Sequence, residues 1–300
     1  MTKKRILLIG GAGTLGSDIL DANLAEFELF VLDDFSESAL TESEVKQKCN
    51  YRNESVANEI AVSQVFQDFQ PDVVVYLATT LSSNQVRAYE SNLLGMSNTI
   101  KAAEKNKLPI IIYVQSFLTR NSEQLIDKNS PVEARDPYST WKLASEYLLD
   151  TYLGPKTTLI LASVLSQRLS VGAVPAFAKR IENQKQIRVT ETYRDYIDSQ
   201  TFISGLIEII DCGLNGVQVL GSGQPIRTLD ILAYTAEVLG LTLENINYVV
   251  VAPRKSDPER IALANDFSDK LIENTSDVQV SIGRIVANHI RSKKEVRLHH

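Results

Sequence analysis

A tyrosine and a lysine four residues apart have the side-chain chemistry of an acid–base pair. The segment Asp136-Pro137-Tyr138-Ser139-Thr140-Trp141-Lys142 opens a predicted helix, so Tyr138 and Lys142 share one helix face. A free phenol has a pKa of about 10, too high for a general base at neutral pH, and a nearby ammonium lowers it. The pair can then take a proton from a hydroxyl while hydride leaves the same carbon for a nicotinamide. A tyrosine and a lysine at this spacing also occur by chance on protein surfaces, so the pair alone does not indicate catalysis.

A glycine-rich segment near the N-terminus predicts a phosphate-binding loop. Gly10, Gly13 and Gly16 recur every three residues between a predicted strand over residues 6–9 and a predicted helix over residues 14–25. Glycine permits a tight turn and the close approach of a pyrophosphate, and a helix N-terminus presents free N–H groups to the anion. The strand–loop–helix context favours dinucleotide binding over a simple glycine turn.

An acidic residue completes the dinucleotide pattern. Asp33 follows a predicted second strand over residues 28–32, seventeen residues beyond Gly16, and Asp34 comes next and could share its role. A carboxylate at this point accepts hydrogen bonds from the adenosine ribose hydroxyls and repels a 2′-phosphate. The sequence therefore predicts NAD as the cofactor in preference to NADP.

Short apolar runs alternate with helical patterns through the first half of the chain. The predicted strands cover residues 6–9, 28–32, 72–77, 109–114 and 157–161, and the predicted helices cover residues 14–25, 61–69, 91–104 and 138–152. This alternation predicts an α/β fold, a Rossmann-type doubly wound parallel sheet with helices on both faces. Ligands lie beyond the carboxyl ends of such strands, and Ser116 falls in that zone, where its hydroxyl could bind a reacting oxygen.

The second half of the chain is less regular. Its predicted elements are helices over residues 174–183, 200–210, 231–239 and 282–291, with a strand over residues 217–220. We predict an NAD-binding Rossmann domain over residues 1–165 and a smaller α/β substrate-binding domain over residues 166–300, from which residues 199–220 or so return to the Rossmann sheet. The polar segment 34–48 is predicted to be a mobile loop.

Composition limits the classes of partner. The formal net charge of −6 disfavours non-specific binding to nucleic acid or to anionic membranes. The apolar runs are too short to span a bilayer, and the N-terminal run is too short for a signal peptide. Cys49 and Cys212 lie far apart and offer neither a disulfide framework nor a metal knuckle. We therefore expect a cytoplasmic protein with reduced thiols and a small-molecule substrate.

Histidine usage excludes two further mechanisms. Only His289 lies inside the chain, because His299 and His300 are the last two residues and could be the remnant of an expression tag. A Ser-His-Asp triad or a multi-histidine metal site is thus not expected. Proton transfer must use tyrosine, lysine or carboxylates.

These residues resemble the extended branch of the short-chain dehydrogenase/reductase superfamily, the NAD-dependent nucleotide-sugar epimerases and dehydratases. The resemblance covers nearly the whole chain, and its blocks occur in family order. They are the glycine loop, Val31-Leu32-Asp33-Asp34, Tyr76-Leu77-Ala78-Thr79, Asn92-Leu93-Leu94-Gly95-Met96, Tyr113-Val114-Gln115-Ser116, Tyr138 to Lys142, Arg194-Asp195-Tyr196-Ile197, Leu220-Gly221-Ser222-Gly223 and Arg254 to Arg260.

The resemblance implies a role for each block. Tyr138 would be the catalytic base, Lys142 its partner and a ribose ligand, and Ser116 the third catalytic residue. The cofactor would be held by Gly10, Gly13, Thr14, Leu15, Gly16, Asp33, Asp34, Asn53, Leu77, Ala78, Tyr138 and Lys142. The substrate, a nucleotide-diphosphate sugar, would be held by Thr79, Ser116, Arg194 and Arg254. The family also implies a homodimer, paired through the helices over residues 91–104 and 138–152, and a role in carbohydrate biosynthesis.

The chain departs from the family pattern mainly in its substrate half. Dehydratases of the family follow the serine or threonine with an Asp-Glu acid pair, whereas Phe117 and Leu118 follow Ser116, so elimination of water is disfavoured. The usual Arg and Asn after the strand over residues 157–161 are replaced by Ala162-Ser163-Val164-Leu165. A usual histidine and acidic pair are replaced by Asp198-Ser199-Gln200, and another usual histidine is replaced by Tyr76.

Three functions remain open at this point. The first is a nucleotide-sugar epimerase, which oxidises a sugar hydroxyl and returns hydride to the other face of the keto-sugar. The second is a one-way NAD(P)-dependent 4-ketoreductase or dehydrogenase that uses the same triad. The third is a non-catalytic dinucleotide-binding protein, which has no need of a phenol and an ammonium at this spacing.

Overall fold

The computed structural model describes residues 3–80, 84–121, 125–253, 257–268, 270–271 and 277–298. The chain divides into two compact units. The first comprises Met1–Asn121, Ser130–Leu161 and Leu206–Val219, and the second comprises Ser122–Asn129, Ala162–Gly205 and Leu220–His300. Which unit binds the cofactor and which binds the substrate stays a prediction.

The described residues form thirteen strands and ten α-helices. The strands are β1 (Lys4–Ile9), β2 (Phe27–Asp33), β3 (Asn50–Asn53), β4 (Val73–Tyr76), β5 (Ile110–Ser116), β6 (Lys156–Leu161), β7 (Ser163–Leu165), β8 (Ile187–Thr190), β9 (Tyr193–Arg194), β10 (Tyr196–Asp198), β11 (Gly216–Leu220), β12 (Ile226–Arg227) and β13 (Tyr248–Val251). The helices are α1 (Thr14–Asp21), α2 (Glu42–Lys46), α3 (Glu59–Phe69), α4 (Gln85–Tyr89), α5 (Gly95–Glu104), α6 (Pro137–Asp150), α7 (Ala173–Glu182), α8 (Ser199–Cys212), α9 (Thr228–Val238) and α10 (Val278–Leu298).

A seven-stranded sheet forms the centre of the first unit. Its strand order is β11-β6-β5-β4-β1-β2-β3, and the five pairings from β6 to β3 are parallel. The chain order reverses between β1 and β4, which is the switch point of a doubly wound sheet. The predicted fold class is therefore confirmed, and ligands of such sheets bind beyond the carboxyl ends of the strands at this point.

The central strands are apolar along their whole length because helices cover both faces of the sheet. Every residue of β4 is buried, as are Ile6 to Ile9 of β1. On one face, Val62 and Phe66 of α3 and Met96 of α5 form a cluster with residues of these strands. Burial on both faces fixes the plane of the sheet, and so the positions of its carboxyl ends.

The second unit has a smaller core of its own. Phe177 of α7, Ile231 of α9 and Ile285 of α10 lie in one buried cluster with Val189 of β8. Three two-stranded pairings flank it: β7 with β10 and β8 with β13 are parallel, and β9 with β12 is antiparallel. Among the described residues, no helix is both long enough and apolar enough to cross a membrane.

The segment predicted as a loop over residues 34–48 contains a short helix. This helix is α2, whose N-terminus is fixed by a reciprocal capping box between Thr41 and Glu44. Leu40 and Val45 are buried, and the amide of Leu40 donates to the carbonyl of Ala12 at 3.0 Å. The polar composition of the segment gave no sign that Leu40 and Val45 are buried. The backbone hydrogen bond of Leu40 attaches the segment to the glycine loop.

The packing of α1 against the loop generates a stability prediction. A Cβ atom on Gly16 would lie 2.6 Å from the Cα and carbonyl carbon of Gly11, so Gly16→Ala must displace backbone. We expect this substitution to lower the free energy of unfolding by about 1–3 kcal/mol in urea titrations. Gly283→Ala is the control, because nothing lies within 4 Å of its Cβ position in α10. Equal effects of the two substitutions would contradict this account of the packing.

Candidate active site

The turn after β1 brings the glycine loop against the end of β4. Gly10 has a φ of +76°, a conformation that L side chains rarely adopt. A Cβ atom on it would lie 2.6 Å from the backbone nitrogen of Ala78. The loop therefore meets the residues that follow β4 through glycine backbone alone, which is the close approach that a bound pyrophosphate also needs.

The N-terminus of α1 is free of side-chain capping. Gly13 is the N-cap and makes no side-chain hydrogen bond, and the first helical turn, with Thr14 and Leu15, carries no acidic residue. The first amides of a helix have no intrahelical acceptor, and the helix dipole adds partial positive charge there. These features fit the pyrophosphate of a dinucleotide.

Asp33 lies beside this loop. Its Oδ2 accepts from the amide of Ala12 at 2.9 Å, and its Oδ1 accepts from the amide of Phe35 at 2.8 Å. Burial raises the pKa of Asp33, and the two amide bonds oppose that rise. Each carboxylate oxygen has a second lone pair with which it can accept from a ribose hydroxyl.

Asp34 and Asn53 make different contacts from Asp33. Asp34 accepts from the amide of Ser36 at 3.0 Å and lies 3.7 Å from the guanidinium of Arg87. Asn53 is paired with Asp33 in the β2–β3 register, and its amide donates to Glu42 at 3.0 Å. The side chain of Asn53, which is predicted to contact adenine, is thus already hydrogen-bonded to α2.

The segment after β4 carries three of the predicted ligands. The amide of Leu77 donates to the carbonyl of Ile9 at 2.8 Å, which continues the β1–β4 pairing by one residue. Ala78 follows against Gly10, and the Thr79 hydroxyl donates to the side-chain oxygen of Asn92 at 3.2 Å. Leu77, Ala78 and Thr79 therefore lie at the switch point of the sheet, beside the glycine loop.

The start of α6 is strongly specified. Asp136 caps the helix by accepting from the amide of Ser139 at 2.7 Å, and Pro137 occupies the first turn, where a missing N–H costs nothing. Tyr138 follows directly, one helical turn before Lys142. The cap thus sets where the predicted acid–base pair begins.

Lys142 is buried against β5. Its side chain crosses the ring of Tyr113, with Nζ 4.4 Å from the ring centroid, and Nζ donates to the carbonyl of Val114 at 2.7 Å. Loss of water around the amine lowers the pKa of Lys142 to about 7, and the charge of Glu146 opposes this shift. The lysine therefore titrates near neutral pH.

Tyr138 differs from the sequence expectation. Burial raises the pKa of its phenol to about 12, and the charge of Asp136 adds to the rise. The predicted lowering of this pKa by Lys142 is thus not found in this structure. Sequence spacing placed the two groups on one helix face, but it could not reveal how strongly burial raises the pKa of the phenol.

Ser116 ends β5 and begins a 3-10 turn over Phe117–Thr119. Its hydroxyl accepts from the amide of Leu118 at 3.2 Å, so it caps this turn. Ser116 comes two residues after Val114, the acceptor for Lys142. The serine and the lysine are thereby tied to the same end of one strand.

Arg194 and Arg254 are the predicted substrate residues of the second half of the chain, and the structure describes Arg194. Arg194 donates to the carbonyl of Tyr193 at 2.8 Å and is hydrogen-bonded to Asp257 within the second unit. Arg254 lies outside the described residues. The diphosphate-binding role of both arginines stays a prediction.

Sequence reasoning did not assign Asn92, which the structure places in a π-helical turn over Glu90–Leu94. Its side chain is buried, bonds Thr79 and donates to the carbonyl of Ala88 at 2.8 Å, while its own carbonyl accepts from Ser145 at 2.9 Å. Such turns occur often at functional sites. The available signal was an asparagine in the first turn of the helix predicted over residues 91–104.

Sequence reasoning also missed a buried ion pair between Arg120 and Glu146. Glu146 lies one turn beyond Lys142 on α6, and Arg120 directly follows the 3-10 turn after Ser116. Nothing in the spacing of these two residues along the chain indicates that they meet.

Comparison with known proteins identifies the class. Residues 6–221 match the model of the NAD dependent epimerase/dehydratase family, and the chain therefore belongs to that family. This confirms the resemblance read from the sequence, and the family is named for the cofactor predicted from Asp33.

A curated relative is the human dTDP-D-glucose 4,6-dehydratase, 25% identical over 163 residues, which are 50% of this chain and 47% of the human protein. The chain thus spans about half the length of the curated relatives it matches first. Two solved structures match nearly the whole chain. The Bordetella bronchiseptica enzyme WbmG in complex with NAD and UDP is 25% identical, with a TM-score of 0.83 over 97% of this chain and 96% of that one. The Thermus thermophilus UDP-glucose 4-epimerase in complex with NAD is 22% identical, with a TM-score of 0.80 over 95% of this chain and 98% of that one, and supports the fold alone.

The buried amine of Lys142 generates a pH-dependent stability prediction. The unfolded chain binds a proton on this lysine below a pH of about 10.5, whereas the folded chain does so only below about 7. The folded protein should therefore lose stability as the pH falls from about 10.5 to about 7, by about 1 kcal/mol per pH unit. Lys142→Met should remove this slope.

Urea unfolding of the wild type and of Lys142→Met across this pH range measures the difference. Lys105→Met, which changes an exposed lysine at the end of α5, is the control and should keep the wild-type slope. Parallel curves for the wild type and Lys142→Met would refute a neutral buried lysine.

Proposed function

We propose that this protein is a nucleotide-sugar epimerase that binds NAD and acts by transient oxidation of its substrate to a keto-sugar. The observation that carries the proposal is the buried Lys142 on the same helix as Tyr138, at the sheet edge where Ser116 ends β5. A protein that only binds a dinucleotide gains nothing from burying an amine beside a phenol.

The residues of the first unit fit NAD. The amides at the start of α1 receive the pyrophosphate, with Gly10 and Gly16 keeping the loop free of side chains. Asp33 accepts from the adenosine ribose, and its charge repels the 2′-phosphate of NADP. Leu77 and Ala78 line the cofactor where the loop meets the end of β4, and Asn53 and Asp34 contact its adenosine half.

The proposed chemistry uses the phenol of Tyr138 and the amine of Lys142 as an acid–base pair. When bound, NAD supplies the acceptor that takes hydride from a sugar carbon and returns it, and its positive charge favours the phenolate of Tyr138. Tyr138 takes the proton of the sugar hydroxyl and gives it back at the end of the cycle. Lys142 in its ammonium form binds the cofactor ribose and stabilises the phenolate. Ser116 donates a hydrogen bond to the reacting oxygen.

The substrate class is inferred from the relatives. The human relative is a dTDP-D-glucose 4,6-dehydratase, the Thermus thermophilus protein is a UDP-glucose 4-epimerase, and WbmG was solved with UDP. We infer a nucleotide-diphosphate sugar, with Arg194 and Arg254 on the diphosphate, because a guanidinium matches phosphate geometry and keeps its charge. Thr79 contacts the substrate from the segment after β4.

Epimerisation is preferred over dehydration because of the residues after Ser116. Phe117 and Leu118 occupy the 3-10 turn and carry no acid. Loss of water from a sugar needs a proton for the departing hydroxyl, and these side chains cannot give one. This protein is therefore proposed to share the oxidation by NAD with its dehydratase relatives, but not their elimination of water.

We also propose that the protein works as a cytoplasmic homodimer, paired through the helices around α5 and α6. The proposal is supported by family membership and by exposed aromatic residues on α4 and α6, Tyr89 and Tyr147.

The test is turnover by the purified protein on a panel of nucleotide sugars, with mass spectrometry of the small molecules that co-purify. We expect NAD that survives desalting and a product of unchanged mass and altered stereochemistry, detected by NMR. Tyr138→Phe should lower kcat at least 100-fold, within the range typical of general acid–base catalysis, and keep the bound NAD. Tyr147→Phe, on the exposed face of the same helix, should change neither.

Two results would overturn the proposal. A protein that purifies empty and consumes NADH or NADPH with a keto-sugar is a one-way ketoreductase. A protein in which Tyr138→Phe leaves all turnover unchanged does not use this triad.

A second prediction concerns the choice of cofactor. Asp33→Asn removes the charge that binds the ribose hydroxyls, so we expect NAD affinity to fall about 10- to 100-fold in calorimetric titrations. The same change removes the repulsion of a 2′-phosphate, so the ratio of NAD to NADP affinity should fall as well. Asp34→Asn is the comparison, because Asp34 contacts Ser36 and Arg87 rather than the loop. An unchanged ratio in Asp33→Asn would assign cofactor choice to other residues.

A further inference from the structure

A buried ion pair between Arg120 and Glu146 lies one helical turn beyond Lys142, the proposed catalytic lysine. Both terminal nitrogens of Arg120 bind the carboxylate of Glu146. Nη1 donates to Oε2 at 3.2 Å, and Nη2 donates to Oε1. The Arg120 side chain is 3% exposed and that of Glu146 is 12% exposed. Taking two charges out of water is costly, and such a pair does not stabilise a fold more than apolar residues of the same size would. Fold stability alone does not account for it.

The pair is connected to two catalytic residues through Gln115. The Gln115 amide nitrogen donates to Oε2 of Glu146 at 2.8 Å and to the carbonyl of Lys142 at 3.1 Å. Its amide oxygen accepts from the backbone nitrogen of Ser116 at 2.9 Å. Arg120, Glu146 and Gln115 therefore form one network that reaches the backbone of both Lys142 and Ser116.

Glu146 is placed on the helix so that its charge favours the ammonium of Lys142. It lies one helical turn further along α6, and residues four apart share a helix face. Around the amine, Tyr113 of β5 contributes its ring face, Tyr138 precedes it on α6, Tyr76 of β4 packs behind Tyr113, and Arg120 neutralises Glu146 from the far side. Among these groups Glu146 is the one carboxylate.

We propose that Glu146, held by Arg120 and Gln115, is a positioning residue that favours the ammonium form of Lys142 while the reaction runs. This inference rests on the proposed function, in which the ammonium binds the ribose and stabilises the phenolate. Burial drives the pKa of Lys142 down to about 7, and Glu146 is the charge that opposes the fall. Without it, the pKa of Lys142 would fall further, and a smaller share of the lysine would carry the ammonium at neutral pH.

The first test reads Lys142 directly and needs no substrate. The full chain is labelled with ¹⁵Nζ,¹³Cε-lysine, the Lys142 signal is assigned with Lys142→Met, and its pKa is measured by NMR. We expect Glu146→Gln to lower that pKa by on the order of one pH unit. Asp150→Asn removes a carboxylate from an exposed position on the same helix and should leave the pKa unchanged. An unmoved Lys142 signal in Glu146→Gln would overturn the inference.

A double variant separates charge from structure. Arg120→Met with Glu146→Met replaces the buried pair by apolar side chains of similar length, so its melting temperature should stay near that of the wild type. The pKa of Lys142 should still fall, but by less than in Glu146→Gln, because the repulsion from Arg120 is removed together with the carboxylate. A wild-type pKa in this folded variant would assign the pair a structural role only and would refute the inference.

The second test uses the pH profile of turnover. In Glu146→Gln the alkaline limb of kcat should move to lower pH, and Glu146→Asp should restore much of it. A loss of kcat that is equal at every pH would mark a structural role and would overturn the inference. Failure of the proposed function is distinguishable, because turnover that survives Tyr138→Phe would leave the NMR link between Glu146 and Lys142 intact.

Discussion

The attachment of α6 to β5 around Lys142 is the constraint on which the rest of the site depends. Nζ of Lys142 donates to the carbonyl of Val114, and the carbonyl of Lys142 accepts from the hydroxyl of Tyr113 at 3.0 Å. The helix and the strand are thus joined at one residue by both its side chain and its backbone. Sliding α6 by even one residue would leave buried donors and acceptors without partners, at a cost of about 1–3 kcal/mol each. Tyr138 and Ser116 are held in place by the same attachment.

This attachment has an electrostatic consequence. A lysine buried deeply enough to anchor a helix has its pKa lowered to about 7, and a phenol beside it has its pKa raised to about 12. Burial therefore works against the charged forms of both groups, which are the forms that the proposed proton transfer requires. Shifts of this kind are typical of catalytic sites, where neighbouring charges offset the effect of burial. Here Glu146 is the neighbour on the protein side, and Arg120 holds it in place.

The cofactor half of the site depends on a second close contact, between backbones. Gly10 meets Ala78 where the chain order of the sheet reverses, and Asp33 bonds the amide of Ala12 in the same loop. Because the parallel strands are buried on both faces, their carboxyl ends are fixed relative to one another. The predicted cofactor residues and the predicted catalytic residues therefore lie at the same edge of one sheet, although Asp33 and Tyr138 are more than a hundred residues apart along the chain.

The sequence by itself determined the fold class, the cofactor and the family, because each of these depends on local patterns. Apolar runs of strand length indicate buried parallel strands, three glycines between a strand and a helix indicate a phosphate loop, and Asp33 indicates NAD. A local pattern also indicated that Tyr138 and Lys142 form a pair, since residues four apart on a helix share a face. These predictions needed no knowledge of what packs against each element.

Only the tertiary structure decided the electrostatics of the site. The pKa values of Tyr138 and Lys142 depend on how much water each group loses, and the helical spacing alone gave the wrong direction for the phenol. The meeting of Arg120 with Glu146 depends on how a turn after β5 packs against α6, which no spacing along the chain indicates. The conformation of residues 34–48 depends on where Leu40 and Val45 are buried. In each case the deciding quantity is the surroundings of a side chain, and those surroundings are assembled from distant parts of the chain.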